Sequence, residues 1–437
     1  MPRSSVTPLA PPVNALLRRY ADAGEPLSCV PVAQGLLNRG YRLATSRGSY
    51  FLKQHLDART ADRATIIRQH RATERLGALG VPVAPPLPDS EGRTVALVDG
   101  HCYALHPWVE GSHRGGAQLT AAGSRRLGAL LGLVHTALEQ VMAVTEGPGA
   151  DPDGGGERTA AGGAAADRAA AHREAAGRGA AGRGSADREA ADRTTAIRTA
   201  PGRAAPGRAA ADRTATGRTA ADRDTAYRPA AVRTAADRGT AYRPAVDRTA
   251  AADPEQSLRL IDELLALARG RRRRDAFDEL AEYRLLERRR LLAEHAHRRP
   301  PPACAGGWVH GDFHPLNLLY RGAEPAAIID WDRLGVQPRA EEAVRAAAIF
   351  FVRPGGTLDL PKVRAYARAY RRSAGAGPAE LAAAVHRVWW ERLNDFWILR
   401  WHYQRDDTRA DPQFPAASAL AVWWTGEYEA VRDAFTS

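Results

Sequence analysis

Short alternating segments open the chain. In "LSCVPVAQGLLNRGYRLATSRGSYFLKQH" apolar and polar positions alternate and break at Gly35, at Asn38-Arg39-Gly40 and at Arg47-Gly48-Ser49, the signature of short strands joined by turns. The period then changes. In "ADRATIIRQHRATERLGALG" Ile66, Ile67, His70, Thr73, Leu76 and Leu79 recur at helical spacing, and Gly80 with "VPVAPP" ends the run. Two more strands, "RTVALVDG" and "HCYALHPWV", complete a small antiparallel sheet with one helix. After them the pattern is mostly helical: "TAAGSRRLGALLGLVHTALEQ", "SLRLIDELLALARG", "FDELAEYRLLERRRLLAEHA", "EEAVRAAAIFFV", "VRAYARAYRRS" and the long run "LAAAVHRVWWERLNDFWILRWHYQ". The expectation is an α+β protein with a sheet-bearing first lobe and a helical second lobe.

One segment fits neither pattern. From Arg168 to Arg248 an arginine stands at every fifth position, in units such as "AADRT" and "TAYRP". A five-residue step turns a helix by about 500°, which spreads these arginines around all faces and leaves no apolar stripe to bury. A solenoid is disfavoured as well, since the inward position of each unit would be Arg. Ala, Gly, Pro and Arg without large aliphatic residues cannot offset the entropy of ordering, so residues 150–253 read as a disordered or transiently helical insert. The organisation expected is an N-terminal extension (1–25), a first lobe (26–106), a connector with the start of the helical lobe (107–149), the insert (150–253) and the rest of the helical lobe (254–437). Loop closure grows only logarithmically with length. Joining Glu146 to Gln256 through a short Gly/Ser linker is therefore expected to leave the thermal midpoint within a few degrees.

Charge and composition narrow the classes. The 437 residues, 44% hydrophobic, are enough for a sizeable core. The formal charge of +12 invites a nucleic-acid reading, but residues 158–248 hold 18 Arg against 10 Asp and Glu and so carry +8 of it. The run Arg271 to Arg274 and the insert leave contact with nucleic acid or anionic lipid as an alternative, with a solvated surface preferred. Three cysteines, Cys29, Cys102 and Cys304, stand far apart and read as core thiols in a reducing compartment. No apolar leader and no run of about 18 apolar residues occurs, so a cytoplasmic protein is expected.

The chemistry concentrates in "WVHGDFHPLNLLY". His310, Asp312 and Asn317 match the spacing H-x-D-x-x-x-x-N of a phosphotransfer loop, and thirteen residues past Asn317 the apolar run "AAIIDWD" delivers Asp330. Phosphoryl transfer from a nucleotide requires a carboxylate beside the acceptor and oxygen ligands that fix Mg²⁺ across the phosphates. Asp312 can supply the first, and Asn317 with Asp330 the second. The bland alternative is a helix cap at Asp312 and a turn at Asn317.

On "HGDFHPLN" followed by "IIDWD", the chain resembles the small-molecule phosphotransferase superfamily of aminoglycoside phosphotransferases, choline kinases and homoserine kinases, a branch of the protein-kinase-like fold. Matches extend from about Pro31 to Val352. The resemblance implies a two-lobed kinase-like fold, ATP and Mg²⁺ as cofactors, and a small-molecule hydroxyl as acceptor. It implies Asp312 as the catalytic residue, Asn317 and Asp330 as metal ligands, and His310 as an anchor of the loop. "QGLLNRGYRL" takes the place of the turn over the nucleotide phosphates, with Gly35 and Asn38, and Lys53 in "YFLKQH" that of the phosphate-binding lysine. "YALHPWVEG" resembles the segment between the lobes, where Pro107 would offer its carbonyl and Val109 its N–H to the base. The glutamate that pairs with the lysine is missing: Gln69 aligns with it, and Glu74 lies five residues on. A catalytically inactive scaffold and a nucleic-acid-binding protein stand as alternatives.

Three side-chain expectations complete the reading. His314 bonds within its own loop or seats the acceptor. Asp332 approaches a second metal or caps the next turn. Trp389, Trp390, Trp397, Trp401 and Tyr403, at helical spacing with Glu391 and Asp395, belong to the core or box a cationic acceptor.

Overall fold

The computed structural model describes residues 11–32, 38–56, 62–145, 250–303 and 306–437. Gly35, Cys304 and the whole of the arginine repeat lie outside these residues. Those described belong to a single compact unit.

The first lobe begins with a short helix, α1 (Val13–Leu17), followed by β1 (Pro26–Val32), β2 (Arg39–Thr45) and β3 (Gly48–His55). Helix α2 (Arg63–Ala78), β4 (Ala96–Val98) and β5 (His101–Pro107) complete it. The strands form one antiparallel sheet in the order β1-β2-β3-β5-β4. Alternation sorts its two faces. Tyr41, Leu43, Leu52, Tyr103 and Leu105 point to one side and are buried with Leu16, Leu17 and Tyr20. Lys53 and His55 of β3 and Cys102 and His106 of β5 fall in the opposite register, against α2. Residues 13–20, set apart as an extension on sequence alone, thus cover the outer face of the sheet.

Helix α2 starts where Asp62 accepts the N–H of Thr65 at 3.0 Å, a side-chain cap. Ile66, Gln69, His70, Ala72, Thr73 and Leu76 are buried. Leu79, expected on that stripe, is exposed, because the helix has ended and Val81 turns back to bond the Leu76 carbonyl.

The second lobe is built on α3 (Ala121–Thr145), α4 (Pro254–Arg269) and α5 (Ala276–His295). Two small two-stranded sheets follow. β6 (Gly307–Val309) pairs with β9 (Gly335–Gln337), and β7 (Leu318–Arg321) with β8 (Glu324–Ile328). The chain then runs through α6 (Arg339–Phe350), α7 (Leu360–Ala374), α8 (Pro378–Leu393), α9 (Trp397–Arg405), α10 (Phe414–Gly426) and α11 (Tyr428–Thr436). Helices α3 and α7 touch along a glycine face: a Cβ at Gly128 would lie 2.1 Å from the Tyr366 carbonyl oxygen. No helix among the described residues is long and apolar enough to cross a membrane.

The run read as one long helix is two, α8 and α9. Asn394 turns its amide back onto the Trp390 carbonyl at 2.8 Å, and Asp395 accepts the N–H of Trp397, so the break is capped from both sides. Trp389 and Trp390, 0% and 1% exposed, are core residues. Glu391 pairs with Arg345 at 2.8 Å and Asp395 with Arg392 at 3.5 Å, so neither carboxylate is left for a cation, and the aromatic box does not form on them. Trp397 and Trp401 pack edge-to-face.

The expected joint between residues 146 and 256 needs correction. Asp253 caps α4 through the N–H of Glu255, while the carbonyls of Ala251 and Ala252 accept bonds from Arg299 and Trp390. Losing such a cap costs about 1 kcal/mol. A shortened chain should resume at Ala250, and thermal melting of the two versions would show the difference.

Candidate active site

The loop from His310 to Asn317 leaves β6 and is fixed by buried polar groups before it presents any. Gly311 has φ +83°, and a Cβ there would lie 2.1 Å from the Arg333 carbonyl oxygen, so only glycine permits this approach of the two loops. Glu342 of α6 accepts the N–H groups of both His310 and Gly311. Behind it His135 donates from Nε2 at 2.7 Å and accepts from the Tyr370 hydroxyl at 3.0 Å. Burial pushes the Glu342 carboxyl up, but the hydrogen bonds it accepts from His135 and from the Gly311 N–H outweigh this and hold the group below its ordinary range. Sequence reasoning missed this support, which draws on α3, α6 and α7. Nothing local in "PRAEEAV" shows which acid turns inward.

His310 is 0% exposed, and burial holds it neutral. Its Nδ1 accepts the N–H of Asp312 at 3.2 Å, so Nε2 carries the proton and donates to the Ile329 carbonyl at 3.0 Å. Ile329 in turn donates its N–H to the Asn317 carbonyl at 3.0 Å. These bonds tie the loop to the strand end that delivers Asp330, itself in the left-handed conformation at φ 62°. The anchoring expected of His310 is what the geometry shows.

The Asp312 carboxylate is 29% exposed, with His314 Nε2 3.6 Å from one oxygen and Arg333 Nη1 3.7 Å from the other. Burial raises its pKa, yet His314 and Arg333 together hold it below the ordinary carboxylate value. His314 stays within its loop, accepting the N–H of Leu316 on Nδ1. Asn317 donates from Nδ2 to the Asp312 carbonyl at 2.9 Å, and its oxygen takes no bond from a described residue.

Lys53 crosses between the lobes. Its Nζ lies 2.8 Å from Asp330 and 2.7 Å from Asp332. Burial alone would lower the lysine pKa, but the two carboxylates reverse that and raise it above the usual value. Burial likewise pushes Asp330 up, and the Lys53 charge and bond bring it down to about 2. Asp332 moves the other way, raised by burial and by the neighbouring Asp330 charge despite Lys53. Its side chain caps no turn: it accepts from Lys53 and from Asn38 Nδ2. Asn38 also accepts the N–H of Leu56. Neither Gln69 nor Glu74 pairs with the lysine. Gln69 donates to the Asp332 carbonyl oxygen at 2.9 Å, and Glu74 faces solvent.

Of the residues expected at the site, the structure thus joins Lys53, Asn38 and Asp330 into one charged cluster, with Asp312 and Asn317 on the loop beside it. Pro107 closes β5 opposite Tyr50 and Val109 follows half-buried; no described contact ties either to the cluster. Among the described residues no group of three or more His, Cys, Asp or Glu is arranged to hold a metal ion. The donor set present, an amide oxygen and a carboxylate, suits Mg²⁺, which binds through one or two protein oxygens and completes its shell with phosphates and water. Of the arginine run, Arg271 pairs with Asp278 and Arg274 with Glu282, which leaves Arg272 and Arg273 exposed.

Among curated proteins none matches the chain. Solved structures similar to it include an aminoglycoside phosphotransferase from Alicyclobacillus acidocaldarius, 13% identical over 98% of this chain and 95% of that one, with a TM-score of 0.49. A spectinomycin phosphotransferase in complex with ADP and spectinomycin is 12% identical over 97% and 96%, with a TM-score of 0.49. A microcompartment-associated aminopropanol kinase is 14% identical over 97% and 98%, also with a TM-score of 0.49. The decisive match is to a sequence profile that runs from residue 28 to residue 376, through both lobes and the charged cluster between them: the chain belongs to the phosphotransferase enzyme family.

Proposed function

We propose that the protein transfers the γ-phosphoryl group of ATP to a hydroxyl of a small molecule, with Mg²⁺ as the metal. The observation that carries the reading is the stitching of the Asp312 loop to Asp330 through Ile329, and of Asp330 to Lys53 across the lobes. Residues 277 positions apart in the chain become one electrostatic unit.

In this reading Asp312, kept ionised, accepts a hydrogen bond from the acceptor hydroxyl and directs its lone pair at phosphorus. Lys53 lies where an α- or β-phosphate oxygen can replace one carboxylate as its partner, with Asn38 on the same side. Gly35, Pro107 and Val109 remain our candidates for the phosphate turn and the base. Asn317 and Asp330 are the residues that would hold the metal, whose chemistry is to neutralise charge on the β- and γ-phosphate oxygens. Mass detection of an added phosphate, in a nucleotide-consumption screen against hydroxylated metabolites and antibiotics, tests the proposal. Nucleotide binding with no phosphorylated product from any acceptor would favour the inactive scaffold.

Lys53→Ala gives a sharper check on the nucleotide side. Charge-assisted contacts at enclosed sites are worth about 1.5–3 kcal/mol, so ATP affinity should fall about tenfold or more. Adenosine, which lacks phosphates, should bind as before. Equal losses for both would mean that freeing Asp330 and Asp332 from their shared cation had loosened the lobe instead.

A further inference from the structure

We propose that Arg333 is a further catalytic residue, whose guanidinium contacts the phosphoryl group as it passes from nucleotide to acceptor. The inference rests on the reading of Asp312 given above and adds a residue to it.

The backbone and side chain of Arg333 are held differently. Its carbonyl lies where a side chain at residue 311 would sit, and the following Leu334 N–H closes the turn onto Trp331 at 3.0 Å, so the backbone has little freedom. The side chain is 46% exposed. Its contact with the Asp312 carboxylate, at 3.7 Å, is too long for a hydrogen bond, so none of its donors is committed to a described residue. Among the described residues no other lysine or arginine lies within ion-pair distance of Asp312. Lys53, the other cation of the site, is 11% exposed and engaged by two carboxylates.

Geometry then limits where the guanidinium acts. A hydroxyl bonded to Asp312 lies about 2.8 Å from its oxygen, and the phosphorus it attacks about 3–3.5 Å further on. An arginine anchored beside the same carboxylate reaches the equatorial oxygens of that phosphoryl group with a planar fork of donors. As the P–O bond to the nucleotide breaks and the P–O bond to the acceptor forms, charge spreads over those oxygens, and the acceptor proton leaves to Asp312 or to water. An arginine supplied in cis at this point is worth orders of magnitude in rate in other phosphotransfer enzymes.

Two measurements on the full-length protein test this without knowing the acceptor. The first is slow hydrolysis of MgATP with water as acceptor, yielding ADP and phosphate. Arg333→Gln should lower the hydrolysis rate at least about 100-fold with ATP affinity changed less than about threefold, and Arg333→Lys should recover part of the loss. The second is affinity for ADP with aluminium fluoride, a planar mimic of the phosphoryl group: Arg333→Gln should weaken it at least about 30-fold while leaving ADP alone unaffected. Unchanged hydrolysis and unchanged mimic affinity in Arg333→Gln would overturn the assignment and leave Arg333 as a partner of Asp312 or of the acceptor. If Arg333→Gln does not fold, Arg333→Lys and Arg333→Met carry the same comparison. A wild-type protein that binds no nucleotide and hydrolyses none would instead sink the proposed function, and this inference with it.

Discussion

Asp312→Asn is expected to lower kcat by about two to four orders of magnitude while nucleotide affinity stays within about twofold of wild type. The asymmetry follows from where the carboxylate sits. Asp312 is tied into the structure by its main chain, through the N–H bonded to His310 and the carbonyl bonded to Asn317, whereas its carboxylate makes only long contacts to His314 and Arg333. Removing the negative charge leaves the loop in place and takes away an interaction used chiefly in the transition state. Because the carboxyl is held below its ordinary pKa, the wild-type rate should not depend on its ionisation above about pH 5. Isothermal titration of nucleotide into both proteins, with turnover measured alongside, decides the matter. A variant that loses nucleotide affinity in proportion to kcat would mean that Asp312 belongs to the nucleotide site.

Acid should unfold the first lobe early. His55, His70 and His106 lie together between the sheet and α2, with ring centroids 6.5 Å and 5.8 Å apart along the row. Burial, then the charge of Lys53, lowers the His55 pKa to about 3. Burial and the neighbouring histidines take His70 to about 2, and burial takes His106 to about 4. All three folded values are below the unfolded value of about 6.5, so the unfolded chain binds more protons once the pH falls below 6.5. The stability these neutral rings preserve is complete above that pH and is lost progressively as the pH drops towards the folded values. Between pH 7.5 and 5 each ring costs about 2 kcal/mol, and the three together about 6 kcal/mol, comparable to the whole stability of many domains. Denaturant titrations at pH 7.5 and pH 5 would measure this. Neither nitrogen of His55 has a partner among the described residues, so His55→Leu should keep stability at pH 7.5 and remove about a third of the acid loss. Equal stability at the two pH values would show that the cluster opens to water.

The two predictions draw on different levels of the chain. Asp312 could be picked out in the sequence because the loop that presents it is a local object: His310, Asp312 and Asn317 act on one another across seven residues, and their spacing survives any change in the rest of the fold. The strands of the first lobe were legible for a similar reason, since each carries a two-residue alternation and ends at a turn. The histidine cluster was not legible. His55, His70 and His106 come from β3, α2 and β5, and only the register of His55 opposite Cys102 and the docking of α2 bring them together. Helical spacing puts His70 on the buried stripe of α2, but nothing local to that helix shows what it meets there.

The charged cluster shows the same division. The residue types were readable, including the absence of a glutamate where the lysine partner was expected. The resolution of that absence was not: Lys53 takes both carboxylates of "DWD", and Gln69 turns to the Asp332 carbonyl. The break between α8 and α9 was hidden because Asn394 and Asp395 are tolerated inside a helical pattern, and what stops the helix is that both side chains fold back on the backbone. By itself, then, the sequence determined what its short-range physics encodes: an α+β chain with a sheet-bearing lobe and a helical lobe, a loop with the residue spacing that phosphotransfer would use, a following carboxylate and a lysine upstream. Only the tertiary structure decided which carboxylates share that lysine, that Glu342 and His135 hold the loop from beneath, and that Arg333 stands beside Asp312. These pairings join positions from about 20 to nearly 280 residues apart, and their energies depend on burial and approach distance, quantities that exist only once the chain has folded.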